Sequence, residues 1–212
     1  DPHALDLSFG GPTGLFSKAL RDAAKSVDVE ALRRHEKASD KDIWSRMLAN
    51  VSRSATNNAA TQVQLLEGMK VLYLRARAVV VPGGEAIAAT LADGSEKTIK
   101  ARHILVATGS SPTRSPAIPF DDSSIFDSDS IAKLAFLPRR VAIAGAGIIA
   151  LEFAKIFAKL GCSVTMIVRG EAAGSLRRVG LDESLVQALL AALSESGVTV
   201  LEHTSAASFT TP

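Results

Sequence analysis

At 212 residues, 47 % apolar and 22 % charged, the chain is long enough for one large domain or two small ones and too apolar to be disordered. Its formal net charge of +2, with no Lys/Arg run, excludes a surface built to track nucleic acid. The single cysteine, Cys162, excludes an internal disulfide framework and fits a reducing compartment, and His3, His35, His103 and His203 stand too far apart to suggest a metal site.

The chain opens at Asp1 without a methionine, which points to a processed or partial sequence. Over Thr13–Lys25, the residues Leu15, Phe16, Ala19, Leu20, Ala23 and Ala24 recur at helical spacing and predict an amphipathic helix. A polar connection, HEKASDKD, leads to a second, long helix with Ser39 or Asp40 as its cap, Ile43, Met47 and Val51 on one face, and Gly68 as its stop. Trp44 is expected to pack inward from it. Next come VLYLRARAVVV (71–81), rich in strand formers, and AIAATLADGSEKTIKA (86–101), which alternates on both sides of the hairpin signal Asp93-Gly94. HILVATG (103–109) is an apolar run ending in Gly109 and predicts a buried strand. No apolar run approaches the ~18 residues of a membrane-spanning helix.

Pro112, Pro116 and Pro119 lie in a Ser- and Asp-rich stretch that predicts a linker over 113–138, between a first part (1–112) and a second (139–212). Beyond it the pattern is strand, helix, strand, helix, strand: RVAIAGAG, IIALEFAKIFAKLG, SVTMIVRG, DESLVQALLAALSESG and VTVLE. That alternation predicts βαβ units and a parallel sheet. Three strands make a small doubly wound sheet, so further partners are expected. Cys162 reads as a small packing residue after a turn, and His103 has no assigned role.

One motif carries chemistry. Gly145-x-Gly147-x-x-Ala150 stands between the first of these strands and its helix. In that context Gly145 permits a tight turn, Gly147 lets backbone approach a pyrophosphate, and Ala150 keeps the helix close to the strand. The competing reading is a glycine turn that binds nothing. An NAD site normally places an acid at the end of the second strand; here Val168 stands there, followed by Arg169. A guanidinium in place of a carboxylate favours a 2′-phosphate, hence NADP(H) over NAD(H), with Arg177 and Arg178 further along. Glu171 stays open as an acceptor for a ribose hydroxyl, and Arg177 and Arg178 as a plain solvated face.

Ser17-Lys18-Ala19-Leu20, the strand ILVATG with its following Pro112, and the motif from Gly145 to Glu152 together resemble the FAD-dependent pyridine nucleotide-disulfide oxidoreductase family, which includes glutathione reductase and dihydrolipoamide dehydrogenase. The resemblance implies an α/β fold in two incomplete parts. These are a piece of an FAD-binding domain, helices plus β-meander, and a Rossmann-like parallel βαβ domain for NADP or NAD. It implies Lys18, Thr108 and Gly109 at the flavin, with Glu152 approaching it and able to pair with Lys18. It also places Gly14 and Phe9 at the two redox-cysteine positions, so no dithiol is available there.

The stretches GPTGLFSKALRD, IFDSDSI and GAGIIALEFAKIF look most like the soluble, FAD-dependent pyridine nucleotide transhydrogenases, the branch without a redox disulfide. The expected activity is flavin-dependent hydride transfer from NADPH to NAD+, in a homodimer if the protein is of full length. The alternative is a non-catalytic, oxidoreductase-derived subunit of a larger assembly. Arg75, where the family commonly has glycine, favours the latter, as does the missing first FAD cradle.

Overall fold

A computed structural model describes residues 17–209. The expected helix start at Thr13 and the positions Phe9 and Gly14 lie outside them. Chain packing divides the described residues into two units, one of residues 53–111 and one of residues 17–52 with 112–209.

Three helices open the described chain: α1 (Ser17–Ser26), α2 (Val29–His35) and α3 (Asp40–Gly68). The sequence pattern shows α1 and α3 but not α2, a seven-residue helix whose start is fixed by Asp28, which accepts from the Ala31 N–H at 2.8 Å. Ser39 is the cap of α3, in a reciprocal box: its hydroxyl accepts from the Asp42 N–H at 3.1 Å, and its own N–H donates to the Asp42 carboxylate at 3.1 Å. The division between the units falls within α3, after Ser52.

The first unit holds an antiparallel meander of β1 (Ala76–Val80), β2 (Ala86–Leu91) and β3 (Glu96–Lys100), in that order. Asp93-Gly94 makes the β2–β3 turn, with Gly94 at φ +81° and Asp93 accepting from the Ser95 N–H at 2.9 Å. Two expectations are corrected. The strand expected over 71–81 narrows to Ala76–Val80. Residues 103–109 do not form a buried strand: they pair with no strand, and Leu105 and Val106 are 90 % and 69 % exposed. An apolar run becomes a strand only where a neighbour takes its N–H and C=O groups, and none does so here among the described residues.

The second unit holds the parallel sheet of β4 (Arg140–Ala144), β5 (Ser163–Ile167) and β6 (Thr199–Leu201), in that order. The register pairs Val141 with Val164 and Met166 with Val200. Between the strands run α4 (Ile148–Lys159), α5 (Ala172–Arg178) and α6 (Glu183–Glu195). α4 packs on β4 and β5 and also on α1, and buries Leu151, Phe153, Ala154, Ile156 and Phe157. Trp44 is fully buried and its ring stacks on Phe157 at 6.5 Å, the inward packing its helix face implied.

Segment 113–138, read from sequence as a linker, is packed in this unit. Ile131, Leu134 and Leu137 are core residues, and Arg114 ties the loop by bonds to Asp122 and, at 2.6 Å, to Asp127.

Asp40 joins three elements. Its carboxylate accepts from Arg33 of α2 at 2.8 Å and from Arg139, just before β4, at 3.0 Å. The Arg139 bond, aided by Arg33, holds the carboxyl below its ordinary pKa against the opposing effect of burial. A lowered carboxylate pKa stabilises the fold at pH values above the unfolded-state pKa of ~3.9, and that contribution is lost as the pH falls below it toward the folded value. Asp40→Asn is therefore expected to cost about 1 kcal/mol at neutral pH. Measured by urea unfolding across an acid pH series, the variant's difference from the unaltered chain should shrink below pH ~4.

Candidate nucleotide-binding site

Strand β4 ends at Ala144, and the chain must turn at once to enter α4. Gly145 makes that turn at φ +112°, its N–H donating to the Ile167 carbonyl of β5 at 2.9 Å. Gly147 is the N-cap of α4, in extended conformation, and offers no side chain to the first-turn N–H groups. A Cβ placed on either glycine would meet nothing within 4 Å. The mouth of the loop is therefore open, and α4 points uncapped backbone donors and the positive end of its dipole into it. That arrangement fits a diphosphate, whose oxygens need N–H donors and close backbone approach. Ala150, on the same helix, is half-buried against the core.

The end of β5 lies beside this mouth. Val168, at the position of the usual acid, is 3 % exposed, and its N–H donates to the Leu201 carbonyl at 2.8 Å. Arg169 is exposed and makes no ion pair among the described residues. Arg177 is otherwise engaged, bonded to Glu183 at 2.7 Å, and Arg178 donates to the Ser175 hydroxyl at 3.0 Å. Of the three arginines, Arg169 is thus the one left to meet a ligand. The sequence gives no warning of α5, nor of its cap: the Ala172 N–H donates to the Glu202 carboxylate, 30 residues away, at 2.7 Å.

Glu152, one turn into α4, is held by α1. Its Oε2 accepts from the Ser17 hydroxyl at 3.4 Å, and its Oε1 lies 3.7 Å from the Arg21 guanidinium. Lys18, the partner expected from the family resemblance, is exposed and does not pair with it. The reason is helical geometry: Ser17 and Arg21, four apart, share the face turned to α4, and Lys18 lies about 100° round from Ser17. Arg21 and Glu152 also line a groove of about 790 Å³ among α1, α4 and α6, with Lys25, Lys155 and Lys159.

Thr108 and Gly109 belong to the first unit; both are exposed, and Gly109 adopts φ +71°. Cys162 is buried in the second unit, and burial pushes its thiol up to about 12. Only the thiolate attacks electrophiles, so a thiol with that pKa is inert at neutral pH. Iodoacetamide at pH 8 should leave the native chain unmodified and alkylate Cys162 once the chain is unfolded, read by intact mass. Among the described residues no group of His, Cys, Asp and Glu could hold a metal ion, and no helix is long and apolar enough to cross a membrane.

Residues 10–211 match the family model for pyridine nucleotide-disulphide oxidoreductases. The soluble pyridine nucleotide transhydrogenase of Pseudomonas putida is 31 % identical over 190 residues, covering 87 % of this chain and 39 % of the relative. Dihydrolipoyl dehydrogenase 3 of Pseudomonas aeruginosa is 32 % identical over 142 residues, covering 63 % of this chain and 29 % of the relative. The crystal structure of LpdA from Mycobacterium tuberculosis superposes with a TM-score of 0.76 at 25 % identity, covering 95 % of this chain and 45 % of that one. The chain thus spans less than half the length of each of these relatives. FAD and NAD(P) are the cofactors of the matching family, and its chemistry is flavin-dependent redox. With its open glycine loop between β4 and α4 and a match over nearly its whole length, the chain belongs to the pyridine nucleotide-disulphide oxidoreductase family.

Proposed function

We propose that the protein carries hydride between NADPH and NAD+ through FAD, without a redox disulfide. The observation that carries this reading is the sulfur. The chain has one cysteine, and it is buried with its thiol pKa pushed up to about 12, so no thiol of this chain is poised for exchange. A flavin, when bound, can accept a hydride from one nicotinamide and return it to another with no dithiol between them.

In this reading the chain's own residues bind and orient. The amides following Gly145 and Gly147 hold the diphosphate, with Ala150 keeping α4 close enough to β4 for its dipole to act. Arg169 meets the 2′-phosphate of NADP(H) with a planar fork of donors. Lys18, Thr108 and Gly109 are the residues proposed to face the flavin. Glu152 serves there as a carboxylate whose direction Ser17 and Arg21 fix. For a protein of the relatives' length we propose a homodimer.

A second reading, a non-catalytic subunit of a larger assembly, draws support from one observation: Leu105 and Val106 are exposed in a run that pairs with no strand among the described residues. Anaerobic titration of the isolated protein separates the two. Hydride transfer expects the visible flavin band to bleach with NADPH and recover with NAD+, while the free-thiol count stays constant. New thiols on reduction would indicate a disulfide enzyme, and absence of a flavin band would favour the subunit.

A further inference from the structure

A site that takes NADPH and NAD+ in turn must accept a 2′-phosphate in one half-reaction and a 2′-hydroxyl in the other. Arg169 answers the first requirement. The acid that normally answers the second is absent, because Val168 stands in its place and is buried. Among the described residues one glycine-rich loop opens a helix, so both nucleotides would use the same β5 end.

The neighbouring strand supplies a carboxylate there. Past β6 the chain stays bonded to the segment that carries Arg169. The Thr204 N–H donates to the Val168 carbonyl at 2.9 Å, and the His203 N–H donates to the Gly170 carbonyl at 3.2 Å. Glu202 lies between Leu201 and these contacts, and its Oε1 accepts from the Ala172 N–H at 2.7 Å. Its second oxygen makes no hydrogen bond among the described residues, and the residue is exposed. Glu202, an exposed residue, therefore presents a carboxylate anchored through one oxygen within the same loop pair as Arg169. Glu171, the acid closer in sequence, makes no capping bond with its side chain, so holding it on a ligand would cost rotamer entropy that Glu202 has already given up.

We infer that Glu202 is the specificity-determining acceptor for the adenosine 2′-hydroxyl, standing in from β6 for the acid missing at the end of β5. The inference rests on the nucleotide site proposed above. It explains how one loop serves two nucleotides: the guanidinium of Arg169 takes the phosphate, and the Glu202 carboxylate, which repels that phosphate, takes the hydroxyl.

The test is calorimetric binding of NAD+ and NADP+ to the full chain without flavin turnover. Glu202→Gln is nearly isosteric and keeps an oxygen for the Ala172 N–H, so the fold should survive. It is expected to shift the affinity ratio at least ~5-fold away from NAD+, since bonds to a charged acceptor are about twice as strong as neutral ones. Glu171→Gln should leave the ratio within about twofold. An NAD+ analogue lacking the adenosine 2′-hydroxyl gives a second readout on the unaltered chain. It should bind as weakly as NAD+ binds to E202Q, and the two losses should not add. If E202Q leaves the ratio unchanged, or if E171Q shifts it instead, the assignment of Glu202 is overturned and the nucleotide site stands. If the unaltered chain binds neither nucleotide, the site itself fails and this inference with it.

Discussion

Gly147→Ala is expected to leave the fold intact and weaken binding of a nicotinamide dinucleotide at least tenfold, a change of about 1.4 kcal/mol. The two halves of that expectation come from separate observations. Gly147 has φ −77° and ψ 173°, a conformation alanine adopts freely, and its added methyl would meet nothing within 4 Å. Unfolding stability should therefore stay within about 0.5 kcal/mol of the unaltered chain. The same empty space is where a diphosphate would press against backbone, so the methyl competes with the ligand and with nothing else. Gly145→Ala makes the contrast. Its φ of +112° is a region side chains avoid, so alanine there should cost stability as well, about 1–3 kcal/mol. Thermal unfolding and calorimetric titration on the two variants check both halves. Equal binding by Gly147→Ala and the unaltered chain would remove the loop from the ligand site.

The largest stability change is expected at Trp44. The ring is fully buried, stacks on Phe157 of α4 and belongs to the core that also holds Leu20, Ile43 and Leu137. Trp44→Ala should cost about 3–5 kcal/mol, a large share of a domain's stability. Trp44→Phe should cost far less, about 1.5 kcal/mol or below. The indole N–H is buried without a hydrogen-bond partner among the described residues, so phenylalanine gives up volume but no hydrogen bond. Urea unfolding followed by far-ultraviolet circular dichroism reads both variants, since the chain has no other tryptophan to report by fluorescence. A cost for Trp44→Phe equal to that of Trp44→Ala would mean that the N–H, rather than ring volume, carries the site.

What could be read from sequence follows from how local each signal is. The β4–α4–β5 unit was legible because glycines at fixed spacing sit between a β-branched run and a helical period, all within about thirty residues. The long α3 was legible from its period and its cap. The seven-residue helices α2 and α5 were not, since two turns give too few repeats for a period to show. α5 also takes its cap from Glu202, across the sheet, where no local pattern can announce it. The stretch 103–109 misled because an apolar run states only that burial would be favourable; whether a partner strand is present is a non-local fact. Glu152 is singled out by the family resemblance, which offers no sign of the side chains that anchor it. Lys18 was preferred by resemblance, whereas the helix turns Ser17 and Arg21 toward α4.

The loop from Gly145 to Ala150, with Arg169 beside it, is proposed to hold a nicotinamide dinucleotide in this chain. Titration of isotopically labelled chain with NADPH, followed by amide chemical shifts, tests it without flavin or turnover. Saturable shifts are expected at the amides of Gly145, Ala146, Gly147, Ile148 and Ile149 and at Arg169, larger at Arg169 with NADPH than with NADH. Shifts confined to other surfaces, or none at all at saturating nucleotide, would contradict it.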